Sequence, residues 1–468
     1  MLPLFLLSLL KICIDMAVAG VPTELGTEKI SKLLRQYAVP AIIAMTASSL
    51  YNMVDSIFIG HGVGKFAIAG LALTFPLMNL GAAFGALVGV GASATISMLL
   101  GQRNYEMAQK VLGNVITLNT IIGVLYSIVF LAFLDPILYF FGASENTIGY
   151  ARDYMVIILL GNIVTHMYLG LNAVMRSAGL PKKAMYLTIF TVIINAILDP
   201  LFIYVFEWGI KGAAVATVIS QTMALCLTVK TFSDKNLVIH FRRGIYKLKA
   251  RIVKDVISIG MAPFFMNSAA CLIVILINQG LQHHGGDLAI GAYGIVNRVS
   301  FVFVMIVLGL NQGMQPIVGF NYGANQYKRA IEALKLTIIC ATAITTTGFL
   351  LAELFPRAIA MVFTTDEELI QHAIVGMRIV FACFPIIGFQ IVAGNFFQSV
   401  GMAGKSVFMS LTRQLIFLLP GLLIFPQFFQ TNGIWMSMPI ADRLSSMIAF
   451  FLLYNQIKKF KNKEQYGN

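Results

Sequence analysis

The chain has few charged residues for its length. Only 11% of its 468 residues are charged, 58% are hydrophobic and the mean hydropathy is +0.83. A soluble globular protein carries about 25% charged residues, so this scarcity excludes the ordinary soluble classes. The sequence also lacks the Walker A, HExxH and GxSxG patterns that mark ATP hydrolysis, zinc proteolysis and serine hydrolysis. These absences predict a polytopic membrane protein that is not an enzyme.

Acidic residues and cysteines are also scarce. Asp and Glu number 20 against 33 Lys and Arg, which gives a net charge of +13. In a membrane chain such an excess is expected from cations that remain in cytoplasmic loops, so no nucleic-acid partner is inferred. The five cysteines stand apart in apolar surroundings without a CxxC pair. They predict neither a disulfide framework nor a metal site, and no cofactor is expected.

Twelve apolar runs are each long enough to cross a bilayer as a helix. They lie at about 37–60, 68–100, 111–133, 148–174, 184–206, 211–232, 256–282, 288–320, 331–352, 367–397, 406–428 and 433–456. The chain then divides into a lead-in, a first six-helix lobe, a basic linker, a second six-helix lobe and a basic tail, at 1–36, 37–232, 233–255, 256–456 and 457–468. Residues 1–15 are interpreted as either a real extension or a mis-assigned start, because Met16 precedes a natural polar lead-in.

Lys and Arg fall on one side of this predicted topology. They occupy the lead-in, the even-numbered loops, the linker and the tail, whereas the opposite loops carry mainly Asp and Glu. The positive-inside rule then predicts that both termini and the linker are cytoplasmic.

The two halves of the chain repeat. GQRNYEMAQKVL at 101 aligns with GANQYKRAIEAL at 323, which is an offset of 222 in the numbering, and the same offset aligns Phe141–Glu145 with Phe363–Glu367. Each half has an even number of spans, so the copies have the same orientation. We expect two pseudo-symmetric six-helix bundles, arranged as parallel repeats, that rock against each other during transport.

The first span contains a carboxylate, Asp55, near its far end. Such a residue costs roughly 2.5–3.5 kcal/mol on insertion scales and usually has a function. The fifth span contains a second acid, Asp199, with Asn195 one turn before it on the same face. At about 1.5 Å per residue the two acids reach a similar height, and Tyr51 and Thr217 fall in the same layer.

Two carboxylates in such a layer cannot both be charged without a large cost. The pair therefore predicts a site that takes up a proton, or instead a Na⁺ ion. A structural alternative is that shared protons or hydrogen bonds there only hold helices together.

The second half has charges of its own. Asp442 in the twelfth span and Arg298 in the eighth lie at comparable depth. We expect them to form a structural or gating pair, with direct substrate contact as the alternative.

With these residues in view, the chain resembles the multidrug and toxic compound extrusion (MATE) family. The motifs that carry the resemblance are PAIIAM…LYNMVDSIFIG, NAILDP, GAAVATVIS and GMQPIVGFNYGANQ. The resemblance is strongest to the prokaryotic branch with coupling carboxylates in the N-terminal lobe. It implies twelve helices in a V-shaped pair of lobes, alternating access, and efflux of cationic amphiphilic compounds in exchange for H⁺ or Na⁺ across the plasma (inner) membrane of a prokaryote. The protein is expected to be a monomer among membrane lipids.

The resemblance also assigns residues. It places the coupling site at Tyr51, Asp55, Asn195, Asp199 and Thr217, adds Asn172 on the fourth span, and makes Pro40 the point at which the first helix bends. The seventh span has no acid, so a coupling carboxylate in the second lobe is not expected. The alternative function is a lipid-linked precursor flippase, which should instead line its cleft with several cations for a pyrophosphate.

Overall fold

The structure is a computed structural model that describes residues 22–466, with side chains except at positions 50–53, 57, 61, 65, 287 and 466. Between residues 22 and 466 it contains helices and no β-strand. The all-α class predicted from the sequence is confirmed.

The first half contains six long helices. They are α1 (Ile30–Gly62), α2 (Lys65–Gly101), α3 (Tyr105–Ala132), α4 (Ile148–Ser177), α5 (Pro181–Pro200) and α6 (Gly209–Phe232). A π-helical segment, Leu201–Val205, extends α5. Local sequence sets these boundaries: the Asn104 side chain accepts a hydrogen bond from the Met107 amide at 3.2 Å and so caps the start of α3.

The second half contains six more. They are α7 (Ala250–Gly286), α8 (Leu288–Gly323), α9 (Tyr327–Leu354), α10 (Glu367–Phe381 with Phe384–Ser399), α11 (403–429) and α12 (431–466). The two parts of α10 meet at 51°. Gly286 separates α7 from α8, and Gln430, with φ of 51°, separates α11 from α12. By length and composition the described residues contain 11 spans when the two parts of α10 are taken as one. The break at Gln430 divides the longest of them, Ala403–Gln465, into α11 and α12, so the number of long helices agrees with the twelve predicted.

The internal repeat is visible in the backbone. Residues with positive φ recur at the predicted offset of 222, in the pairs Gly64 and Gly286, Arg103 and Asn325, and Gly179 and Gly401. A positive φ is uncommon for a residue other than glycine. Its recurrence at Arg103 and Asn325 therefore means that the turns after α2 and α8 have the same geometry.

The chain divides into two compact units, and each unit includes a short segment from the other half of the sequence. Among the described residues, unit 1 comprises residues 22–25 and 43–260, and unit 2 comprises residues 26–42 and 261–466. Unit 1 has a core around Tyr154, Leu159 and Ile203. Unit 2 has a core around Phe381 and Trp435.

Close backbone packing explains the exchanged segments. In unit 1, a methyl group added at Gly91 of α2 would collide with the carbonyl oxygen of Val256 in α7. In unit 2, a methyl group at Gly313 of α8 would collide with the backbone of Ala38 in α1. Gly91 and Gly313 are separated by the offset of the repeat, so the same helix contact is built twice. The sequence had placed residues 37–42 in the first lobe and 256–260 in the second; the structure groups each with the opposite lobe.

Candidate functional site

The end of α5 is shaped by Pro200. Proline has no backbone N–H and cannot donate to the carbonyl four residues earlier, which is that of Ala196. The helix continues as the π-helical segment Leu201–Val205. Such segments are often found at functional sites. Asp199 lies immediately before this irregular turn and is fully buried.

Four of the predicted residues meet inside unit 1. Asn195 Nδ2 donates to Asp199 Oδ1 at 3.2 Å and also lies 3.4 Å from Thr217 Oγ1, on α6. The carboxyl group of Asp55, on α1, lies within hydrogen-bonding reach of that of Asp199. All four side chains are at most 5% exposed. We refer to Asp55, Asn195, Asp199 and Thr217 as the carboxyl cluster.

Several acceptor oxygens of the carboxyl cluster receive no hydrogen bond from the described part of the chain. Among the described residues, no hydrogen-bond donor is found for Asp55 Oδ1, Asp199 Oδ2 or Asn195 Oδ1. Buried polar atoms are normally paired, so three acceptors without a donor in one place require an explanation. A hydrogen bond between two carboxyl groups requires that one of them carries a proton, and the remaining oxygens suit a proton or a small hard cation. The arrangement can therefore accept positive charge in either form.

Two further predicted residues, Tyr51 and Pro40, lie on α1. Tyr51 lies on α1 one turn before Asp55, but its side chain is outside the described part of the structure. Pro40 is buried on α1, which runs as one helix from Ile30 to Gly62 through that position. The boundary between the two units falls just after Pro40, between residues 42 and 43.

Asn172 does not join the carboxyl cluster. Its Nδ2 donates to the carbonyl oxygen of Ala184 at 3.1 Å, and its Oδ1 accepts from the guanidinium of Arg176. Ala184 is near the start of α5, and Asp199 lies about four turns further along that helix, or about 22 Å at the usual rise. The structure therefore does not bring Asn172 to the carboxyl cluster: Asn172 links the end of α4 to the beginning of α5, and its part in ion coupling stays a prediction.

The predicted pair of Asp442 with Arg298 is corrected. Asp442 Oδ1 accepts a hydrogen bond from Arg413 Nε at 2.5 Å, within unit 2. The Asp442 side chain is 3% exposed and that of Arg413 is 31% exposed. Arg298 lies on an exposed face of α8, whereas a buried carboxylate requires a cation that reaches into the bundle.

Arg413 is the residue that sequence reasoning missed. It lies at the start of a π-helical segment of α11, Thr412–Leu418. A signal was present, since an arginine inside an apolar span is by itself a candidate functional residue. Its partner could not be found by helical spacing because the π-helix changes the direction in which the side chains of α11 point.

The geometry defines a class of protein. Two six-helix units that arise from one repeat, with a buried cluster of proton- or cation-accepting groups in one of them, are the architecture of a secondary membrane transporter. The family model for MatE matches residues 40–201 and 261–423. The second matched segment follows the first at nearly the same offset as the internal repeat. The chain belongs to the MatE family, and it is a transporter rather than an enzyme.

Similar proteins cover almost the whole chain. The multidrug export protein MepA of Staphylococcus haemolyticus is 26% identical over 426 residues, which are 91% of this chain and 94% of MepA. A solved structure of the MATE multidrug transporter DinF-BH, in complex with a ligand, is 40% identical, with a TM-score of 0.86, and covers 92% of this chain and 96% of DinF-BH. An outward-facing MATE family transporter of the MOP superfamily, at 22% identity and a TM-score of 0.89, covers 95% of this chain and 100% of its own. This last likeness supports the fold alone.

Proposed function

We propose that this protein is a secondary antiporter that exports cationic amphiphilic compounds in exchange for H⁺, with Na⁺ as the alternative coupling ion. The observation that carries the proposal is the carboxyl cluster. Its two acids lie within hydrogen-bonding reach of each other in a buried layer. A charge on either acid costs much more free energy in that layer than it would in water. An ion gradient can therefore do work on the protein through this cluster.

The substrate class is supported by the similar proteins. MepA is a multidrug export protein, and DinF-BH is a multidrug transporter that has been solved with a ligand bound. The similarity extends over 91% of the chain for MepA and 92% for DinF-BH. The expected setting is the plasma membrane of a prokaryote, with a monomer in lipid and both termini in the cytoplasm.

The coupling step follows from the position of Asp55. It lies about four turns after Pro40 on one continuous helix, α1. Pro40 removes a hydrogen bond and weakens the helix at the point where α1 passes from unit 2 to unit 1. Protonation of the carboxyl cluster would change the hydrogen bonds and charges that hold the Asp55 segment of α1 in unit 1. The resulting movement would be absorbed at Pro40 and would alter the cavity that binds the exported compound.

Efflux from reconstituted vesicles tests the proposal. Ethidium efflux is measured with ΔpH and ΔpNa imposed separately on wild-type protein and on Asp55→Asn and Asp199→Asn. We expect one of the two gradients to drive wild-type efflux, and neither variant to respond to it although both insert. The matched control is Asp135→Asn, which removes an exposed carboxylate of unit 1 that pairs with Arg152 at 2.6 Å. The proposal would be contradicted if either cluster variant exported ethidium at the wild-type rate. It would also be contradicted if neither ΔpH nor ΔpNa drove efflux by the wild-type protein.

A further inference from the structure

The linker between the two halves is fastened to a membrane-spanning helix. Asn114 of α3 makes three hydrogen bonds to linker backbone: Nδ2 donates to the carbonyl oxygens of Ile245 at 3.3 Å and Lys247 at 3.1 Å, and Oδ1 accepts from the Lys249 amide at 2.9 Å. Beside it, the hydroxyl of Thr117 donates to the Tyr246 carbonyl oxygen at 2.8 Å. These bonds hold the linker in one conformation.

The fastened linker contains a cavity with a positive lining. The cavity has a volume of about 510 Å³ and is lined by Lys235, His240, Phe241, Arg242 and Arg243, which we call the basic pocket. The three cations are exposed. The pocket is held in shape by His240, whose ring lies 3.2 Å from Gln109 Nε2 on α3, and by the Phe241 amide, which donates to the Phe232 carbonyl oxygen at 2.8 Å.

Two carboxylates lie near the basic pocket, and each has a partner outside it. Glu106, on α3, forms an ion pair with Lys110. Asp234 accepts a hydrogen bond from the Asn236 amide at 3.0 Å. Neither acid lines the pocket. Glu106 also attracts Arg242, but three cations against this one carboxylate leave the pocket positive, so that it can attract an external anion.

The depth of the linker indicates the source of that anion. Its contacts on α3 run from Gln109 to Thr117, which is the first half of a helix that crosses the membrane. Tyr246 and Leu248 are 43% and 44% exposed. Large apolar side chains among cations are typical of a segment that lies at the level of lipid headgroups.

We infer that the basic pocket binds the phosphate of an anionic lipid headgroup, with Tyr246 and Leu248 resting against the adjoining acyl chains. The excess of cations required for membrane orientation accounts for the sign of the charge. It does not account for the fixed backbone, the cavity or the exposed apolar pair. The basic pocket is open on one side, and its volume of about 510 Å³ has room for a phosphate group.

Lipid binding to the full chain tests the inference. Purified protein in detergent is equilibrated with dioleoyl-phosphatidylglycerol or dioleoyl-phosphatidylcholine, and bound lipid is counted by native mass spectrometry. Each surface cation contributes about 1 kcal/mol to the attraction of anionic lipid, a factor of roughly five. The triple variant Lys235→Gln, Arg242→Gln and Arg243→Gln should therefore bind phosphatidylglycerol about a hundredfold more weakly. The single variant Arg243→Gln should lose about fivefold and serves if the triple variant does not fold.

The matched control removes the same charge from another basic segment. Lys458, Lys459 and Lys461 in the tail are also exposed, and their replacement by Gln should change the affinity for phosphatidylglycerol by less than about twofold. Equal losses in the two triple variants, or equal binding of the two lipids by the wild type, would overturn the inference. Displacement of the lipid by millimolar inorganic phosphate at constant ionic strength would show a site for free phosphate and would also overturn it.

Discussion

The ion pair of Arg413 and Asp442 leads to a prediction with an asymmetry that can be measured. Replacing Arg413 by Met leaves the Asp442 carboxylate, 3% exposed, without its cation. Loss of one partner from a buried pair costs about 3–5 kcal/mol of folding free energy. Replacing Asp442 by Leu instead leaves Arg413, whose side chain is 31% exposed and long enough to extend out of the bundle. We expect that variant to lose only about 1.5–3 kcal/mol, the range for one charged hydrogen bond.

The double variant, Arg413→Met with Asp442→Leu, separates the interaction energy of the pair from the cost of losing each side chain. With both charges replaced by apolar groups no buried charge remains, and such replacements are often neutral or stabilising. Its loss should therefore be smaller than that of Arg413→Met alone. The free energy of unfolding is measured by denaturant titration in a fixed detergent, with Arg378→Met as control. Arg378 is 60% exposed and lies 4.0 Å from Glu353, so its removal should cost less than about 1 kcal/mol.

Two outcomes would refute this reasoning. If the losses of the single variants add in the double variant, Arg413 and Asp442 do not depend on each other. If Asp442→Leu lowers the free energy of unfolding more than Arg413→Met does, the greater exposure of the Arg413 side chain does not determine which loss is larger. Normal stability with lost efflux in either single variant would instead indicate that the pair contacts the exported compound.

Three other predictions concern separate parts of the chain. Pro40→Ala should restore the missing helical hydrogen bond and strongly reduce ethidium efflux without loss of membrane insertion; efflux at the wild-type rate would remove Pro40 from the coupling step. Asn172→Leu should lower the midpoint of thermal unfolding but leave the dependence of efflux on ΔpH unchanged, and a changed dependence would return Asn172 to the coupling site. Gly91→Ala should cost about 1–3 kcal/mol, because the added methyl group meets the Val256 carbonyl oxygen. The control for that change is Gly149→Ala, measured by thermal unfolding, since a methyl group at Gly149 meets nothing within 4 Å.

The carboxyl cluster could be predicted because simple geometry determines it. Asn195 and Asp199 are one turn apart on one regular helix, so they share a face. The height of Asp55 follows from the rise per residue when the start of the span is known. Thr217 was placed in the same layer by the same count from the opposite direction. The structure brings these four residues together.

The residues that were misplaced depend on packing that apolar periodicity does not reveal. Asn172 lies near the end of α4 and Ala184 near the beginning of α5, so the short connection between the helices makes them neighbours. A likeness of motif had assigned Asn172 to the other end of α5. Arg413 was missed because the π-helical segment of α11 interrupts the regular helical spacing. Hydropathy located α1 and α7 correctly, but it could not reveal which unit their first turns join.

That exchange of segments has a consequence for biosynthesis. Residues 26–42 emerge from the ribosome early, yet the surface against which they pack, on α8, is made only after the whole first half and the linker. The start of α1 must therefore wait in the membrane without its partner until α8 has been inserted. A fragment that ends at the linker would keep unit 1 without residues 256–260 and would leave residues 26–42 unpaired. Co-expression of the second fragment from a separate message should supply both missing contacts. Each fragment expressed alone should not accumulate in the membrane.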